Sequence, residues 1–333
     1  MNDRNPAPVA LFVFNRPQLT STVYERIRAA RPSRLLVVAD GPRPTRPDDV
    51  PLCRATREIV SSPDWPCELL NNFAEENLGC RNRVSSGLNW VFQHCSEAII
   101  LEDDCVPGDS FFTFCSEMLN RYRDDDRIMH ISGNNLQDGR CRGDGSYFFS
   151  RYTLSWGWAT WRRAWRYYDV NVTSWPVAYR ARWLESLLAS PEETQQWEDV
   201  FDRLYRRRID TWDYQWLYAC WRQCGLSIIP NRNLVTNIGA GPDATHFMEG
   251  HSTLGLPTQD LGNVVHPSAI VRDEEADGYT FRQHIAGQQA TRSTNWLRKM
   301  RGSLGLRSRL KRLMPRSLRY RLVAEHQRRA AQG

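Results

Sequence analysis

Short apolar segments alternate with amphipathic segments over the first 130 residues, and this alternation limits the folds open to the chain. The apolar segments are residues 8–15, 35–39, 68–72, 98–102 and 128–132. Between them, residues 18–30, 84–95 and 110–118 carry apolar side chains at the three- and four-residue spacing of a helix face. The pattern predicts an α/β fold in which a mostly parallel sheet has helices on both faces.

Four of these predicted strands end in polar residues. They are followed by Asn15-Arg16, by Asp40, by Asp103-Asp104 and by the sequence SGN at 132–134. Parallel α/β sheets bind ligands at the carboxyl ends of their strands. Strand ends are polar in many proteins, but four together predict a ligand site at this edge of the sheet.

The acidic triplet Glu102-Asp103-Asp104 stands where a buried strand passes into a loop. Three adjacent carboxylates repel one another unless a cation or solvent takes up their charge. A hard divalent ion, held by one or two carboxylates and by phosphate oxygens, would do so. The alternative is a solvated loop in which aspartate forms a turn before Pro107-Gly108, and the spacing alone leaves both open.

Several nucleotide-binding classes are excluded by the residues present. The two lysines, Lys299 and Lys311, lie near the end of the chain, so residues 1–298 contain neither a Walker A lysine nor a kinase strand lysine. The first strand ends in NRP rather than in the glycine-rich turn of a dehydrogenase or a sugar-nucleotide pyrophosphorylase. The nine cysteines include no CxxC pair, which favours reduced thiols over a disulfide framework or a zinc ribbon.

The segment IILEDDCVPGDSFF at 99–112 resembles the strand, acidic triplet and Phe-rich helix of GT-A glycosyltransferases. An apolar first strand ending in Asn15-Arg16 and a second ending in Asp40-Gly41 also resemble that family. Three further blocks look like its bacterial branch, which is related to the N-acetylglucosaminyltransferase that starts complex N-glycans: TLSWGWATW at 153–161, DTWDYQW at 210–216, and NIGAG at 237–241 followed by TH at 245–246. The resemblance covers residues 8–250 in order and implies a Rossmann-like GT-A fold acting on a nucleotide-diphosphate sugar.

The resemblance implies roles for matching residues. Asp104 would bind Mn²⁺ or Mg²⁺ with His246 as a further ligand, while Asp103 would face the ribose and Glu102 the donor sugar. A UDP-sugar is favoured as donor, because Asp40 would read the imide N–H of uracil. The nucleotide-sugar pocket would contain Phe14, Asn15, Arg16, Asp40, Arg83, Glu102, Asp103, Trp156, Gly157 and Trp158. The tryptophans would stack on sugar faces, or else form a core of packed indoles.

The resemblance also implies a catalytic base, and two aspartates compete for this role. Asp213 is flanked by tryptophans, as in the glycan-initiating enzyme, whereas Asp210 stands at the more regular position of the bacterial branch. If Asp213 begins a helix, it could instead serve as a first-turn acid. A single base without a nucleophile implies one in-line displacement with inversion at the anomeric carbon. The rival interpretation is an inactive adaptor that binds a nucleotide sugar or a membrane surface and catalyses no transfer.

The positive charge lies at the end of the chain. Residues 292–333 carry a net +12, whereas the whole chain carries +6, so the preceding 291 residues are acidic. The sequence predicts a GT-A catalytic domain at 1–290, with a nucleotide-binding half at 1–135 and an acceptor half at 136–290, and a basic amphipathic helical tail at 291–333. Leucines spaced among arginines indicate that residues 292–329 bind an anionic membrane surface; docking on the acidic body is the alternative.

The remaining expectations concern location and partners. No apolar stretch approaches the ~20 residues of a membrane span, and the N-terminus has no apolar signal region. We therefore expect a cytoplasmic protein, peripheral on the inner face of the plasma membrane, that acts on a glycan or lipid-linked acceptor. The resemblance favours surface polysaccharide or glycoconjugate synthesis. Nucleic acid is not an expected partner.

Overall fold

The computed structural model describes residues 6–188, 190–239 and 253–286. The chain divides into one unit at Met1–His284 and a second at Ile285–Gly333. Two features of the sequence analysis, His246 and the basic tail, lie outside the described residues. The fold described below is that of the first unit.

An eight-stranded sheet forms the centre of this unit. Its strands lie in the order β3-β2-β1-β4-β8-β6-β9-β7. In chain order they are β1 (Val9–Val13), β2 (Arg34–Ala39), β3 (Glu68–Phe73), β4 (Glu97–Glu102), β6 (Ile128–Ser132), β7 (Tyr147–Ser150), β8 (Trp158–Trp161) and β9 (Leu226–Pro230). A separate antiparallel pair joins β5 (Cys105–Pro107) to β10 (Val235–Asn237).

The strands of the large sheet are mostly parallel, as the sequence predicts. β1 pairs in parallel with β2 and β4, and β2 with β3. β8 runs antiparallel between β4 and β6, and β7 runs antiparallel beside β9. Because β6 and β9 are again parallel to each other, six strands point the same way and two are reversed. β1, β2 and β4 are buried along nearly their whole length, since helices cover both faces of the sheet, whereas the edge strand β3 is partly exposed.

Helices cover the two faces in two groups. α1 (Pro17–Ala30), α2 (Asp49–Val60) and α4 (Phe111–Arg121) contribute to one apolar core, which includes the side chains of Leu11 and Val37. α3 (Gly79–His94), α5 (Arg162–Trp165) and α9 (Asp213–Arg222) contribute to the other, with Phe12 and Val38. Residues adjacent along a strand thus enter opposite cores, as the two-residue period requires. The predicted α/β class with helices on both faces is confirmed.

The remaining helices follow the sheet's second half. They are α6 (Trp175–Arg180), α7 (Trp183–Leu187), α8 (Pro191–Tyr205) and α10 (Glu274–Thr280), which continues into a π-helical turn at Phe281–Ile285. α8 begins with Ser190, whose hydroxyl accepts from the Glu193 backbone N–H, and Pro191 takes the first helical position. Within the part of the chain that the structure describes, no helix is both long and apolar enough to cross a membrane.

Candidate active site

The carboxyl ends of β2, β1 and β4 meet at one edge of the sheet, because these neighbouring strands are parallel. This brings the residues after β1, the Asp40 that follows β2, and the acidic triplet at the end of β4 to the same edge. Three of the four polar strand ends of the sequence analysis thus lie on neighbouring strands, whereas the fourth, at the end of β6, is separated from β4 by β8. That they form a ligand site stays a prediction.

Arg16 joins the end of β1 to the acidic triplet. Its Nε donates to Asp103 Oδ2 at 3.1 Å, and its Nη2 forms ion pairs with Asp103 and, at 3.0 Å, with Asp104 Oδ2. Burial acts to lower the pKa of Arg16, but the charges of Asp103 and Asp104 outweigh it and raise the pKa above the ordinary value. One guanidinium therefore holds two carboxylates in fixed positions.

The triplet has more negative charge than Arg16 can neutralise. Burial, reinforced by the charges of Asp104 and Asp103, raises the pKa of Glu102 to about 8. Burial also raises the pKa of Asp103 to about 6, although Arg16 opposes this shift. At Glu102 and Asp103 the charges of neighbouring carboxylates add to the effect of burial, which marks a negative charge that is poorly compensated. The strand end is thus a place where a further cation would be favourable.

The segment after β10 lies against Asp104. The backbone N–H of Ile238 donates to the Asp104 carbonyl at 2.9 Å, and Asn237 Nδ2 lies 3.5 Å from Asp104 Oδ1. A Cβ atom added to Gly239 would lie 2.2 Å from Asp104 Oδ2, so a residue with a side chain cannot occupy this position without moving the carboxylate. The described part of the block that the resemblance singled out, residues 237–239, is therefore beside Asp104, whereas residues 240 and 241 lie outside the described residues.

Asp210 and Asp213 lie near the acidic triplet, since the charge of Asp213 acts on Glu102 and both aspartates act on Cys80 together with Glu102 and Asp104. Asp213 is the first residue of α9 and accepts a hydrogen bond from the Thr211 hydroxyl. Asp210 lies close to the first residue of α3, since a Cβ on Gly79 would be 3.6 Å from its Oδ2. Both candidate bases are at the edge, and the structure does not choose between them.

The Cys80 thiol is affected by the charges of several of these acids. The pKa of Cys80 is raised by its burial and by the charges of four carboxylates, namely Glu102, Asp213, Asp210 and Asp104. Because such charges act strongly only over short distances, the four acids lie near Cys80. That the predicted metal ligand and the two predicted bases form one site stays a prediction.

A second group of residues borders the site beside α2. Asn15 Nδ2 donates to Asp49 Oδ1 at 2.8 Å, and Arg43 forms a two-point ion pair with the same carboxylate. Hydrogen bonds from Arg43 lower the pKa of Asp49 to about 2. The Arg43 guanidinium lies 5.3 Å from the centre of the Phe14 ring. Sequence analysis missed Arg43 and Asp49, which lie in a Pro-rich loop and a helix start with no motif to mark them.

Asp40 and Arg83 have structural partners. The two Asp40 oxygens accept four hydrogen bonds, from the backbone N–H groups of residues 41, 78 and 79 and from the Asn77 side chain. A carboxylate has about four acceptor positions, so none is left for a uracil N–H, and the structure argues against that predicted role. Arg83 is buried and donates to the Ala39 carbonyl and to Asn72, which ties together the ends of β2 and β3.

The prediction that Trp158 contacts a sugar is wrong. Trp158 is fully buried, and its ring centre lies 5.1 Å from that of His130 and 5.4 Å from that of Trp212, both stacked. Because the ring has no exposed face, it belongs to the aromatic core beneath α9. Gly157 has a left-handed φ of 61° and would place a Cβ 2.6 Å from Val235, so it permits a close backbone approach. Trp156 is half-buried, whereas Trp158 and Trp161 of the same segment are buried.

His130 is a further buried polar residue that the sequence did not reveal. Trp216 Nε1, which can only donate, lies 3.1 Å from His130 Nδ1. Nδ1 is therefore the acceptor, and the proton is on Nε2, which donates to the Leu154 carbonyl at 3.1 Å. Burial lowers the pKa of His130 to about 3. A neutral histidine thus connects β6 to the loop before β8.

The described residues contain no group of three or more His, Cys, Asp or Glu side chains arranged as a metal site. A Mn²⁺ or Mg²⁺ ion that binds a nucleotide needs only one or two protein carboxylates, because phosphate oxygens and water complete its shell. The side chain of Asp104 is 17% exposed and lies in the acid-rich edge. The donor set fits an ion held by one carboxylate and a diphosphate.

Comparisons with known proteins give a limited result. No family model matches the chain, and no curated protein matches it. Among solved structures, the chain is similar to a crystal structure of GalNAc-T7 with UDP, GalNAc and Mn²⁺, at 11% sequence identity and a TM-score of 0.38. That match covers 69% of this chain and 43% of the other, so this chain spans less than half the length of the protein it matches.

Proposed function

We propose that this protein is a metal-dependent, inverting glycosyltransferase that moves a sugar from a nucleotide-diphosphate donor to an acceptor hydroxyl. The observation that carries the proposal is the excess of carboxylates at the carboxyl edge of the sheet, with a single guanidinium, Arg16, holding Asp103 and Asp104. Such an edge is suited to a divalent cation and a diphosphate. The family resemblance of the sequence favours a UDP-sugar as donor, with a group other than Asp40 recognising the base, and a hexose or an N-acetylhexosamine as the transferred group.

In this proposal each acid has its own task. Asp104 would hold Mn²⁺ or Mg²⁺, and the ion, as a Lewis acid, would neutralise the negative charge that develops on the leaving diphosphate. Asp103, fixed by Arg16, would face the ribose, and Glu102 would face the donor sugar. The Phe14 ring, Asn15 and the neighbouring Arg43–Asp49 pair border the nucleotide. Trp156 would offer its exposed surface to a sugar.

The catalytic base in this proposal is Asp213 or Asp210. It would take the proton from the acceptor hydroxyl as that oxygen attacks the anomeric carbon, a role worth ~10²–10⁴-fold in rate. Asp213 is held by the Thr211 hydroxyl at the start of α9, whereas Asp210 is exposed. With one base and direct attack, the anomeric configuration inverts.

The proposal assigns donor binding to residues 1–135, acceptor binding to 136–290, and attachment to an anionic membrane to the basic residues of 292–329. What supports the last of these is the composition, with a net +12 in residues 292–333. The setting would be the cytoplasmic face of a plasma membrane, in surface polysaccharide or glycoconjugate synthesis with a glycan or lipid-linked acceptor. Sedimentation of the full chain with phosphatidylglycerol vesicles, but not with neutral phosphatidylcholine vesicles, is the expected result.

Thermal unfolding tests the donor site. The wild-type protein, Asp104→Asn and the control Asp124→Asn would each be melted with MnCl₂ and, in turn, UDP, GDP, CDP, dTDP and ADP. Asp124 is a suitable control because it is an exposed aspartate outside the site. A ligand at 100 times its Kd stabilises the folded state by about 2.7 kcal/mol. We expect a manganese-dependent shift with one nucleotide in wild type and control, and none in Asp104→Asn.

The same proteins separate the transferase from the inactive adaptor. Incubation with the sugar derivatives of the stabilising nucleotide should release free nucleotide diphosphate slowly through hydrolysis, and faster with an acceptor. A nucleotide shift without any turnover would favour the adaptor. If no nucleotide shifts the unfolding temperature, the donor site is wrong and the proposal with it.

A further inference from the structure

Two arginines from distant parts of the chain meet at one neutral oxygen close to the candidate bases. Arg81 Nη2 lies 3.0 Å from Asn171 Oδ1 and also donates to the Val170 carbonyl at 2.6 Å. Arg207 Nη2 lies 3.2 Å from the same Asn171 Oδ1. Because both guanidinium groups bond one amide oxygen, the two positive charges are only a few ångströms apart.

The described residues do not neutralise this pair by direct contact. No carboxylate among them lies within 4.0 Å of a nitrogen of Arg81 or Arg207. The charge of Arg81 acts on Asp169, whose oxygens accept from Thr173 and from the Asn171 backbone. The side chain of Arg208, the next residue after Arg207, is exposed and has no bond to any described residue.

Arg207 is held at this position by an unusual backbone. Its φ is 54°, in the left-handed region that is costly for a residue with a side chain. At the end of α8, the backbone N–H of Arg207 donates to the Leu204 carbonyl, and that of Arg208 donates to the Arg203 carbonyl. The neighbouring Arg206 behaves differently, since its guanidinium forms an ordinary ion pair with Asp202 at 2.7 Å. The chain therefore turns Arg207 away from the acids of α8 and towards Arg81.

This basic cluster, which consists of Arg81, Arg207 and Arg208 with Asn171, is adjacent to the candidate active site. Asp210 follows Arg207 by three residues, and its carboxylate lies against Gly79, two residues before Arg81. The cluster is therefore near Asp210, one of the two candidate bases, where an acceptor would bind.

We propose that the basic cluster binds an anionic group of the acceptor, a phosphate or a carboxylate, and holds the acceptor hydroxyl near its base. The inference rests on the proposed transferase function and narrows its acceptor to an acidic molecule. Guanidinium groups recognise such oxyanions through paired, charge-assisted hydrogen bonds. The two guanidinium groups repel each other, and the neutral Asn171 oxygen does not neutralise their charge. A negatively charged phosphate or carboxylate oxygen between Arg81 and Arg207 would do so. The phosphate of a lipid-linked glycan and the carboxylate of an acidic sugar share this chemistry.

The test measures anion binding without metal or nucleotide. Inorganic phosphate and glucuronate would each be titrated calorimetrically into the full-length protein in EDTA at low salt. Arg207→Gln is the main variant, because the Arg207 side chain is exposed and its replacement should disturb the fold little; Arg81→Gln is the second. Arg206→Gln is the matched control, as the adjacent arginine, and Arg43→Gln reports binding at the nucleotide side instead.

We expect saturable binding that weakens about tenfold in Arg207→Gln and Arg81→Gln and changes less than twofold in Arg206→Gln. Preference for phosphate or for glucuronate identifies the source of the anion. Equal affinity in the Arg206 and Arg207 variants, or loss in Arg43→Gln alone, overturns the inference. The two proposals fail separately, since the nucleotide shifts depend on Asp104 and metal, whereas anion binding in EDTA depends on Arg207.

Discussion

Two clusters of acidic and basic side chains in this protein differ in how their charges balance. At the carboxyl edge of the sheet, Arg16 stands against Glu102, Asp103 and Asp104. On the far side of the sheet, a buried network sets Arg151 against Glu193 at 3.2 Å and against Asp277 at 3.6 Å. Arg272 lies 3.6 Å from the same Asp277 oxygen and also pairs with the exposed Glu274, so two arginines face the two buried acids.

The balanced network joins three elements. Arg151 follows β7, Glu193 is in the first turn of α8, and Asp277 is in α10. Tyr152 and Ser150 donate to the remaining oxygens of Glu193 and Asp277, so each buried acid has its partners. Burial still raises the pKa of Asp277 to about 6. A network of this kind holds the fold, whereas the edge cluster keeps an excess of charge that a ligand can satisfy.

Substitution of the candidate bases gives the largest expected difference between the edge cluster and the balanced network. If the edge cluster is catalytic, Asp213→Asn or Asp210→Asn should lower the transfer rate by ~10²–10⁴-fold with little change in stability. Initial rates of nucleotide release with acceptor present would measure this, with Asp199→Asn, a half-exposed acid of α8, as control. The variant with the larger loss identifies the base. If Asp213→Asn, Asp210→Asn and Asp199→Asn all lower the transfer rate by the same small factor, neither candidate aspartate is the catalytic base.

The balanced network should respond in the opposite way. Glu193→Gln leaves Arg151 buried without one of its charged partners, and breaking a buried pair costs about 3–5 kcal/mol. Urea unfolding would show this loss, and the manganese-dependent nucleotide shift of the folded variant should be unchanged. Glu192→Gln, an exposed neighbour in the same turn, is the control and should be near wild type. If the folded Glu193→Gln variant loses its manganese-dependent nucleotide shift, the balanced network also affects ligand binding, and the two clusters do not differ in the way described.

His130 tests whether a buried polar group outside both clusters acts on stability alone. Its folded pKa is about 3, below its ordinary value of 6.5, so between these values the unfolded state binds a proton that the folded state does not. Its contribution is present above pH 6.5 and is lost as the pH falls, at up to about 1.4 kcal/mol per pH unit.

Urea unfolding of wild type and His130→Gln from pH 7 to 4 would measure the difference. We expect the free energy of unfolding of the variant to fall less steeply with acid, while its nucleotide response persists. Parallel pH profiles in the two proteins would mean that His130 is protonated in the folded state, against its bond from Trp216.

The smallest effect concerns the metal-free protein. Asp104→Asn removes one of three neighbouring negative charges, so it should raise the free energy of unfolding by about 1 kcal/mol in EDTA, as relieving a strained functional site commonly does. The same substitution should abolish stabilisation by manganese and nucleotide. Lower stability in EDTA would instead place Asp104 with the balanced, fold-holding acids.

Much of the fold could be predicted because local patterns determine it. The strands at 9–13, 35–39 and 98–102 are continuous apolar runs, and buried parallel strands require such runs. The position of β8 could not be predicted, because the WATW segment pairs antiparallel with both β4 and β6 through contacts distant in sequence. The same non-local pairing buries Trp158, whose neighbours resemble a sugar-binding motif.

The candidate site divides along the same line. Asp103 and Asp104 could be found because three carboxylates at a strand end are conspicuous in sequence. Their bond to Arg16 joins residues 87 and 88 positions apart, so it depends on the order of strands in the sheet. Three of the four hydrogen bonds that occupy Asp40 come from residues 77–79, which are distant in sequence, and only the fourth comes from the adjacent Gly41 N–H.

Gly239 gives the edge of the sheet a mechanical property. Since a Cβ there would come within 2.2 Å of Asp104 Oδ2, the glycine backbone and the carboxylate are in contact with no spare room. The Gly239 N–H also donates to Asn237 Oδ1 at 2.9 Å, which ties this backbone to β10. Any rotation of the Asp104 carboxylate towards Gly239 must therefore displace the main chain, so the side-chain angle of one residue and the path of a strand 133 positions away are set together.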